Sequence, residues 1–521
     1  MGRTPGAPPA GLMSRATVYG WAAILLVGLL LRVPGLTWGL PDEHKLFPYH
    51  PDEPTLVELG SRMARTGDLN PHFFNYGSLP VYLSALVLGA VGLSAAPPGD
   101  SGPYLALRLV SLVFGLGTIV LAGALAGRLL GKREQWVAAG LVAVTPIHVI
   151  GSSYATVDSL ATFLLAAAVL CGVRVLDGSR PADYALAGAF AGLAASTKYV
   201  GLTAALVPLA CAAWRERRWL PSRSSWAGLG IAVACATGAF ALTTPYAFID
   251  RSSFWRDFAF ELQHKREGGT TVPPGVSGFA YLFGTALPSG LTWPLVVVMV
   301  AGLLLALRRR DRSVPLAAWL VWLVIVTGSG REVFVRYTMP LAPFAAVVVA
   351  GLCGGLRPGH AGVALGLVAA VGLYALAYSA AYTGMYRRPD VRDAALDHIV
   401  AQAENGHPSV GLVQAPWFFS PPIAGLNGGP RTAGVYGEWH ASGAGRSPSR
   451  LGIPRDLRWR GPTCLSSPSS SSRRMPGSGQ RAPPSSSVSS SATTGSAPSS
   501  DPTRCSWASV SPTLMPTIGA T

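Results

Sequence analysis

Charge is scarce in this sequence. Of its 521 residues only 13% are Asp, Glu, Lys or Arg, while 50% are hydrophobic; soluble domains carry about 25% charged residues. The deficit excludes an ordinary soluble chain, and the apolar surplus belongs in a bilayer. Cysteine is also sparse. Cys171, Cys211, Cys235 and Cys353 sit inside apolar stretches, and Cys464 and Cys505 lie near the C-terminal end, with no Cys-x-x-Cys pair. That spacing supports neither a disulfide framework nor a zinc cage. No two histidines stand four apart, so His50, His72, His148 and His264 read as interfacial side chains. No metal site is assigned from them, and a divalent cation is left open. The first apolar run continues to about Leu40 without a small-residue cleavage site, so the N-terminus reads as an anchor and not a signal peptide.

What the sequence has in quantity is long apolar runs. Stretches of about 20 such residues, enough to cross the hydrocarbon core, recur from Val18 to Tyr382. The net charge of +16 sits largely in short loops between these runs, which fits anionic lipid headgroups and not nucleic acid. The basic loops are Arg3 to Arg15, Gly131 to Glu134, Arg174 to Arg180, Arg215 to Arg223, Arg308 to Arg312, and Arg357 to His360. Because short cytoplasmic loops are enriched in Lys and Arg, all six are expected inside.

That requirement decides one ambiguous segment. If Leu79 to Ala96 spanned the membrane, every later basic loop would change sides, so it is expected to lie on the outer face as an interfacial or re-entrant helix. About eleven crossings then remain, near 17–36, 104–128, 135–152, 159–176, 183–197, 199–214, 226–245, 279–306, 314–329, 334–356 and 361–384. The expected architecture is an all-α polytopic membrane domain over 17–386, after a cytoplasmic N-terminus at 1–16. Outer loops are expected at 37–103 and 244–277.

After Arg388 the pattern becomes soluble. Val391, Ala394, Ala395 and Ile399 recur at helical spacing, and Ser409 to Val413 reads as a strand, the start of a small α/β extension over 387–446. From about Ser447 the chain is rich in Ser, Pro and Arg, with no apolar period, and is expected to be disordered. The abrupt change has the composition of a GC-rich gene translated out of frame. A continuation of the α/β pattern in another reading frame is what tests that reading.

The strongest local signal is Pro48-Tyr49-His50-Pro51-Asp52-Glu53-Pro54, which places paired carboxylates just past the outer end of the first span. A carboxylate there can act as general base on an acceptor hydroxyl. Equally, Asp52 can cap the helix that Pro54 opens. Asp158 is expected at the outer end of another span, as a functional acid or a helix cap. Lys198, alone between two apolar runs, suits a phosphate or can snorkel to headgroups. Arg336 and Tyr337 pair a planar cation with a hydroxyl, a combination suited to phosphate oxygens. Of the outer run Glu261 to Glu267, Lys265 and Arg266 are the candidates, the rest reading as a solvated helix.

With these residues in order, the chain resembles the GT-C superfamily, in particular protein O-mannosyltransferases and lipid A aminoarabinosyltransferase-like enzymes. The resemblance runs from about Thr17 to Pro421. It rests on Pro51-Asp52-Glu53 with Leu59 to Asp68, on Arg108-Leu109-Val110-Ser111, on Ala155-Thr156-Val157-Asp158, on Ser196-Thr197-Lys198, and on Arg336 to Pro340. It implies a bacterial plasma-membrane enzyme that moves a sugar, with inversion, from a polyprenyl-phosphate donor to a protein, glycan or lipid acceptor on the extracytoplasmic face. By the same resemblance Asp52 activates the acceptor, Asp158 is a second outer-face acid, and the surrounding cations hold the phosphate. The aminoarabinose branch carries a lysine shortly before the proline of its interfacial helix, where this chain has Tyr76-Gly77-Ser78-Leu79-Pro80. That departure argues against aminoarabinose as the sugar. The alternatives are a transporter or lipid flippase, which binds its substrate near the midplane at broken, often repeated helices, or a non-catalytic assembly subunit.

Overall fold

The computed structural model describes residues 14–404, apart from 43–47, 98, 219–220, 269–270 and 356–360. The strand expected at Ser409 to Val413 and the Ser/Pro/Arg-rich tail lie outside the described residues.

The described chain is helical throughout. In order the helices are α1 (Arg15–Leu36), α2 (Glu53–Thr66), α3 (Leu79–Ala90), α4 (Gly102–Leu129), α5 (Lys132–Val144), α6 (Pro146–Gly151), α7 (Val157–Gly172), α8 (Pro181–Ala195), α9 (Val207–Glu216) and α10 (Arg223–Thr243). They continue with α11 (Tyr246–Ile249), α12 (Arg251–Glu267), α13 (Gly278–Tyr281), α14 (Leu287–Leu291), α15 (Trp293–Arg309), α16 (Val314–Gly328), α17 (Ala342–Gly355), α18 (Ala361–Met385) and α19 (Val391–Glu404). Tight 3-10 turns at Val173–Leu176, Tyr199–Leu206 and Val335–Leu341 lead into or out of them. No strand occurs among the described residues, and the all-α polytopic architecture holds.

Among the described residues six helices are long and apolar enough to cross a membrane, seven if the bent pair Gly278–Leu291 and Trp293–Arg309 counts as one span. Several of the eleven expected segments are shorter or interrupted, for local reasons. The 135–152 segment breaks between α5 and α6 because Pro146 pushes Thr145 into an extended conformation (ψ 124°). Carbonyls at the break are taken up from other helices: Ala143 O accepts from Arg32 Nη1 at 3.0 Å and Val144 O from Ser379 Oγ at 2.7 Å. The 279–306 segment bends by 108° between Leu291 and Trp293. Thr292 takes a φ of 77° there, and Pro294 in the first turn of α15 cannot continue the preceding ladder.

Small residues set the closest helix approach. A Cβ on Gly188 would lie 2.0 Å from Ala232 O, and one on Gly192 2.1 Å from Ala236 O, so two glycines one turn apart on α8 let α10 pack on its backbone. Among the described residues, the basic segments around Arg128, Arg215 and Arg312 gather with Asp177 at one end of the bundle. There Asp177 pairs with both Arg128, at the end of α4, and Arg312, before α16, while Arg215 Nη1 donates to Val175 O at 2.8 Å. Arg108, near the start of the 28-residue α4, therefore marks the opposite end, where the acidic segment lies.

Candidate active site at the acidic end of the bundle

The site begins at the start of α2. Asp52 holds the capping position but makes no side-chain capping bond. Its carboxylate instead turns to Arg336, with Oδ2 3.3 Å from the guanidinium Nη2. Both side chains are about one-third exposed, at 37% and 30%, so the pair is open to an incoming ligand. His50, two residues earlier, accepts from Asp52 N through Nδ1 at 3.3 Å and lies 4.5 Å from the Tyr154 ring. Burial pushes the His50 imidazole below its ordinary pKa despite Glu53 and Asp52 nearby.

Glu53 faces the other way. It is fully buried and receives Arg108 Nε and Nη2, both at 2.7 Å, with Ala155 N donating to Oε1 at 2.8 Å. The remaining Arg108 donors go to the carbonyls of Gly35, Leu36 and Trp38. One ion pair thus ties the end of α1, the start of α2, α4 and the turn before α7. It leaves Glu53 with no open face toward a substrate.

Asp158 lies in the first turn of α7, two residues after its capping residue Thr156. It is buried, and Lys198 Nζ lies 2.5 Å from Oδ1. Lys198 also sits 4.6 Å above the Tyr337 ring, while the Arg336 guanidinium is 5.8 Å from the same ring and 4.1 Å from that of Phe334. Tyr337 therefore borders both ion pairs, and cation–π attraction draws both cations to its ring. Four of the singled-out residues, Asp52, Asp158, Lys198 and Arg336, meet around this fifth.

Lys265 comes near from α12. Its Nζ donates to Val326 O at 2.8 Å, at the end of α16, and burial together with the Lys198 charge lowers its pKa. Arg266 is exposed on the same last turn. His148 is buried, with Nδ1 2.8 Å from Arg32 Nη2. Among the described residues no group of three His, Cys, Asp or Glu side chains could hold a metal.

Sequence reasoning missed Tyr76. Burial pushes its hydroxyl well above the ordinary tyrosine value, and the fields of the Asp52 and Asp158 carboxylates push it further, which keeps the phenol neutral. Its loop is held by one face of α12 and its capping residue. Asp250 Oδ2 accepts from Asn70 Nδ2 at 3.1 Å, Asp257 Oδ2 from Phe74 N at 2.9 Å, and Glu261 Oε1 from Asn75 Nδ2 at 2.6 Å. On the other side Gly77 lies against the end of α8, where a Cβ would come within 2.2 Å of Ser196 O. The available signal was Gly77-Ser78 followed by Leu79-Pro80, a close approach and a helix start in succession.

The arrangement offers two carboxylates, two cations and a phenol at one bundle end. It can hold an anionic oxygen on the cations while a carboxylate takes a proton.

A family model described as dolichyl-phosphate-mannose-protein mannosyltransferase matches residues 100–240. No curated protein sequence matches this one. Among solved structures, the chain is similar to ArnT from Cupriavidus metallidurans bound to undecaprenyl phosphate, with a TM-score of 0.53 and 16% identity over 81% of this chain and 90% of that one. It is also similar to the Archaeoglobus fulgidus oligosaccharyltransferase tethered to an acceptor peptide, with a TM-score of 0.51 and 15% identity over 74% of this chain and 57% of that one. The chain spans 65% of the apo form of the Cupriavidus protein and 58% of the apo oligosaccharyltransferase. At these identities the likeness is one of fold.

Proposed function

We propose that this chain, whose fold is that of the GT-C glycosyltransferase superfamily, transfers a sugar from a polyprenyl-phosphate donor to an acceptor hydroxyl on the extracytoplasmic side of a bacterial plasma membrane. The observation that carries the proposal is the pair of ion pairs around Tyr337, Asp52 with Arg336 and Asp158 with Lys198. The similar ArnT structure is bound to undecaprenyl phosphate, and the matching family model concerns dolichyl-phosphate-linked mannose. Both are consistent with a lipid-phosphate donor here.

In this reading Asp52 takes the proton of the acceptor hydroxyl. The acceptor oxygen forms a bond to the anomeric carbon as the bond from that carbon to the phosphate oxygen breaks, and the electron pair leaves with the phosphate. Attack from the side opposite the phosphate inverts the anomeric configuration. Lys198 and Arg336 stabilise the charge that gathers on the leaving phosphate, with Lys265 and Arg266 contributing positive potential at the approach. Asp158 holds Lys198 in place. Glu53, closed off by Arg108, positions the segment that carries Asp52 and does not touch the reactants.

A flippase is the competing reading. Proteoliposomes containing the chain, a labelled polyprenyl-phosphate sugar and candidate protein, glycan and lipid acceptors separate the two. Covalent transfer of label supports the proposal; movement of the donor between leaflets without transfer contradicts it.

A further inference from the structure

We propose that Asp52 and Asp158 are internal competitors for the donor phosphate, so that donor binding works by exchange of ion-pair partners and itself releases the base. The inference rests on Lys198 and Arg336 being the phosphate ligands.

Each of those cations already has an anionic partner, and the two pairs are unequal. Arg336 and Asp52 stand 3.3 Å apart and are both about one-third exposed, whereas Lys198 lies 2.5 Å from an Asp158 that is only 4% exposed. An anion arriving from outside meets the looser pair first, since a solvated pair at that spacing is worth little. Displacing Asp52 from Arg336 leaves its carboxylate free of its ion-pair partner, beside the place where the acceptor hydroxyl must come.

The charge balance points the same way. Two carboxylates and two cations cancel. The phosphodiester of a donor carries one negative charge, enough to replace one carboxylate. A phosphate monoester carries about −1.5 to −2 at neutral pH, which matches both cations. As the sugar leaves, the growing phosphate charge therefore draws Lys198 from Asp158 as well. Those contacts strengthen in the transition state more than in the bound donor, the condition for acceleration. Tyr337, bordering both cations, can keep them in place through the exchange by contact with its ring.

Binding of undecaprenyl phosphate to the full chain in nanodiscs tests the exchange without a turnover assay. Asp158→Asn is expected to tighten binding about tenfold, since it frees a hydrogen-bonded charged group, and Asp52→Asn by about two- to fivefold. Glu261→Gln is the control. It removes an equal charge whose field also reaches Tyr76 and Tyr337 but whose partner is Asn75, and it is expected to change binding by less than about twofold.

Unchanged binding in both aspartate variants, or equal tightening in all three, overturns the exchange. Should Asp158→Asn fail to fold, Asp52→Asn, at a side chain about one-third exposed, decides the matter against the same control. Lys198→Ala and Arg336→Ala test the underlying reading separately. Weakened binding in these upholds the cations as phosphate ligands whatever the aspartates do, and unchanged binding removes that reading.

Discussion

Glu53 and Arg108 meet through two 2.7 Å hydrogen bonds, with neither side chain exposed to solvent. Asp52, the residue before, is exposed enough to react with a ligand. Adjacent carboxylates thus have different environments, and the difference separates scaffolding from chemistry. Removing one partner of a buried pair leaves the other charge unpaired, at a cost of about 3–5 kcal/mol. Glu53→Gln is therefore expected to lower the thermal unfolding midpoint of the purified protein in detergent sharply. An unchanged midpoint, with transfer alone lost, would assign Glu53 to the reaction instead.

Gly77, just before α3, and Gly89, in its last turn, differ in what a methyl group would meet. At Gly77 the Cβ would sit 2.2 Å from a backbone carbonyl, and at Gly89 3.6 Å from the Ala64 side chain. Gly77→Ala is expected to cost about 1–3 kcal/mol by overpacking and to shift the loop that carries Tyr76. Gly89→Ala should be tolerated, and equal thermal stability of the two variants argues against the close contact.

Tyr337 is expected to act through its ring more than its hydroxyl. Tyr337→Phe should keep the donor KM near wild type, while Tyr337→Leu removes a cation–π contact worth about 0.5–2 kcal/mol and raises KM by roughly 2- to 30-fold. Matching KM values for Phe and Leu would assign the ring no part in holding the cations.

The Asp250 carboxyl has its pKa pulled down to about 2, chiefly by the side-chain hydrogen bond from Asn70 and the backbone N–H of Ser253. A carboxylate depressed in the folded state contributes stability that is complete above its ordinary value of 3.8 and is lost as pH falls toward 2. Asn70→Ala is expected to raise the Asp250 midpoint toward 3.8, measured by carbon-detected NMR of labelled aspartate. A midpoint that stays put would show that Asn70 does not hold the carboxylate.

The all-helical membrane architecture was legible in the sequence because apolar runs and arginine placement both report on the bilayer. Asp52, Asp158, Lys198 and Arg336 were brought to one face by the same sidedness. What stayed hidden depended on partners distant in sequence. Whether Asp52 capped α2 or faced a ligand turned on Arg336, and the burial of Glu53 on Arg108, 55 residues away. Tyr76 carries no charge and sits in a loop anchored by Asp257 and by Glu261, the latter in the run that reads as a solvated helix. The bend at Thr292 escaped notice because its apolar content matches a straight span, although Pro288 and Pro294 flank it.

Sugar transfer by Asp52→Asn, with wild type alongside, tests the central claim most directly. The measurement is single-turnover transfer from a radiolabelled polyprenyl-phosphate sugar, at donor concentrations that saturate both proteins. Loss of the general base is expected to slow transfer by about 10²- to 10⁴-fold while polyprenyl-phosphate binding is retained or tightened. Transfer at the wild-type rate would contradict the assignment of Asp52 as the base and the account built on it.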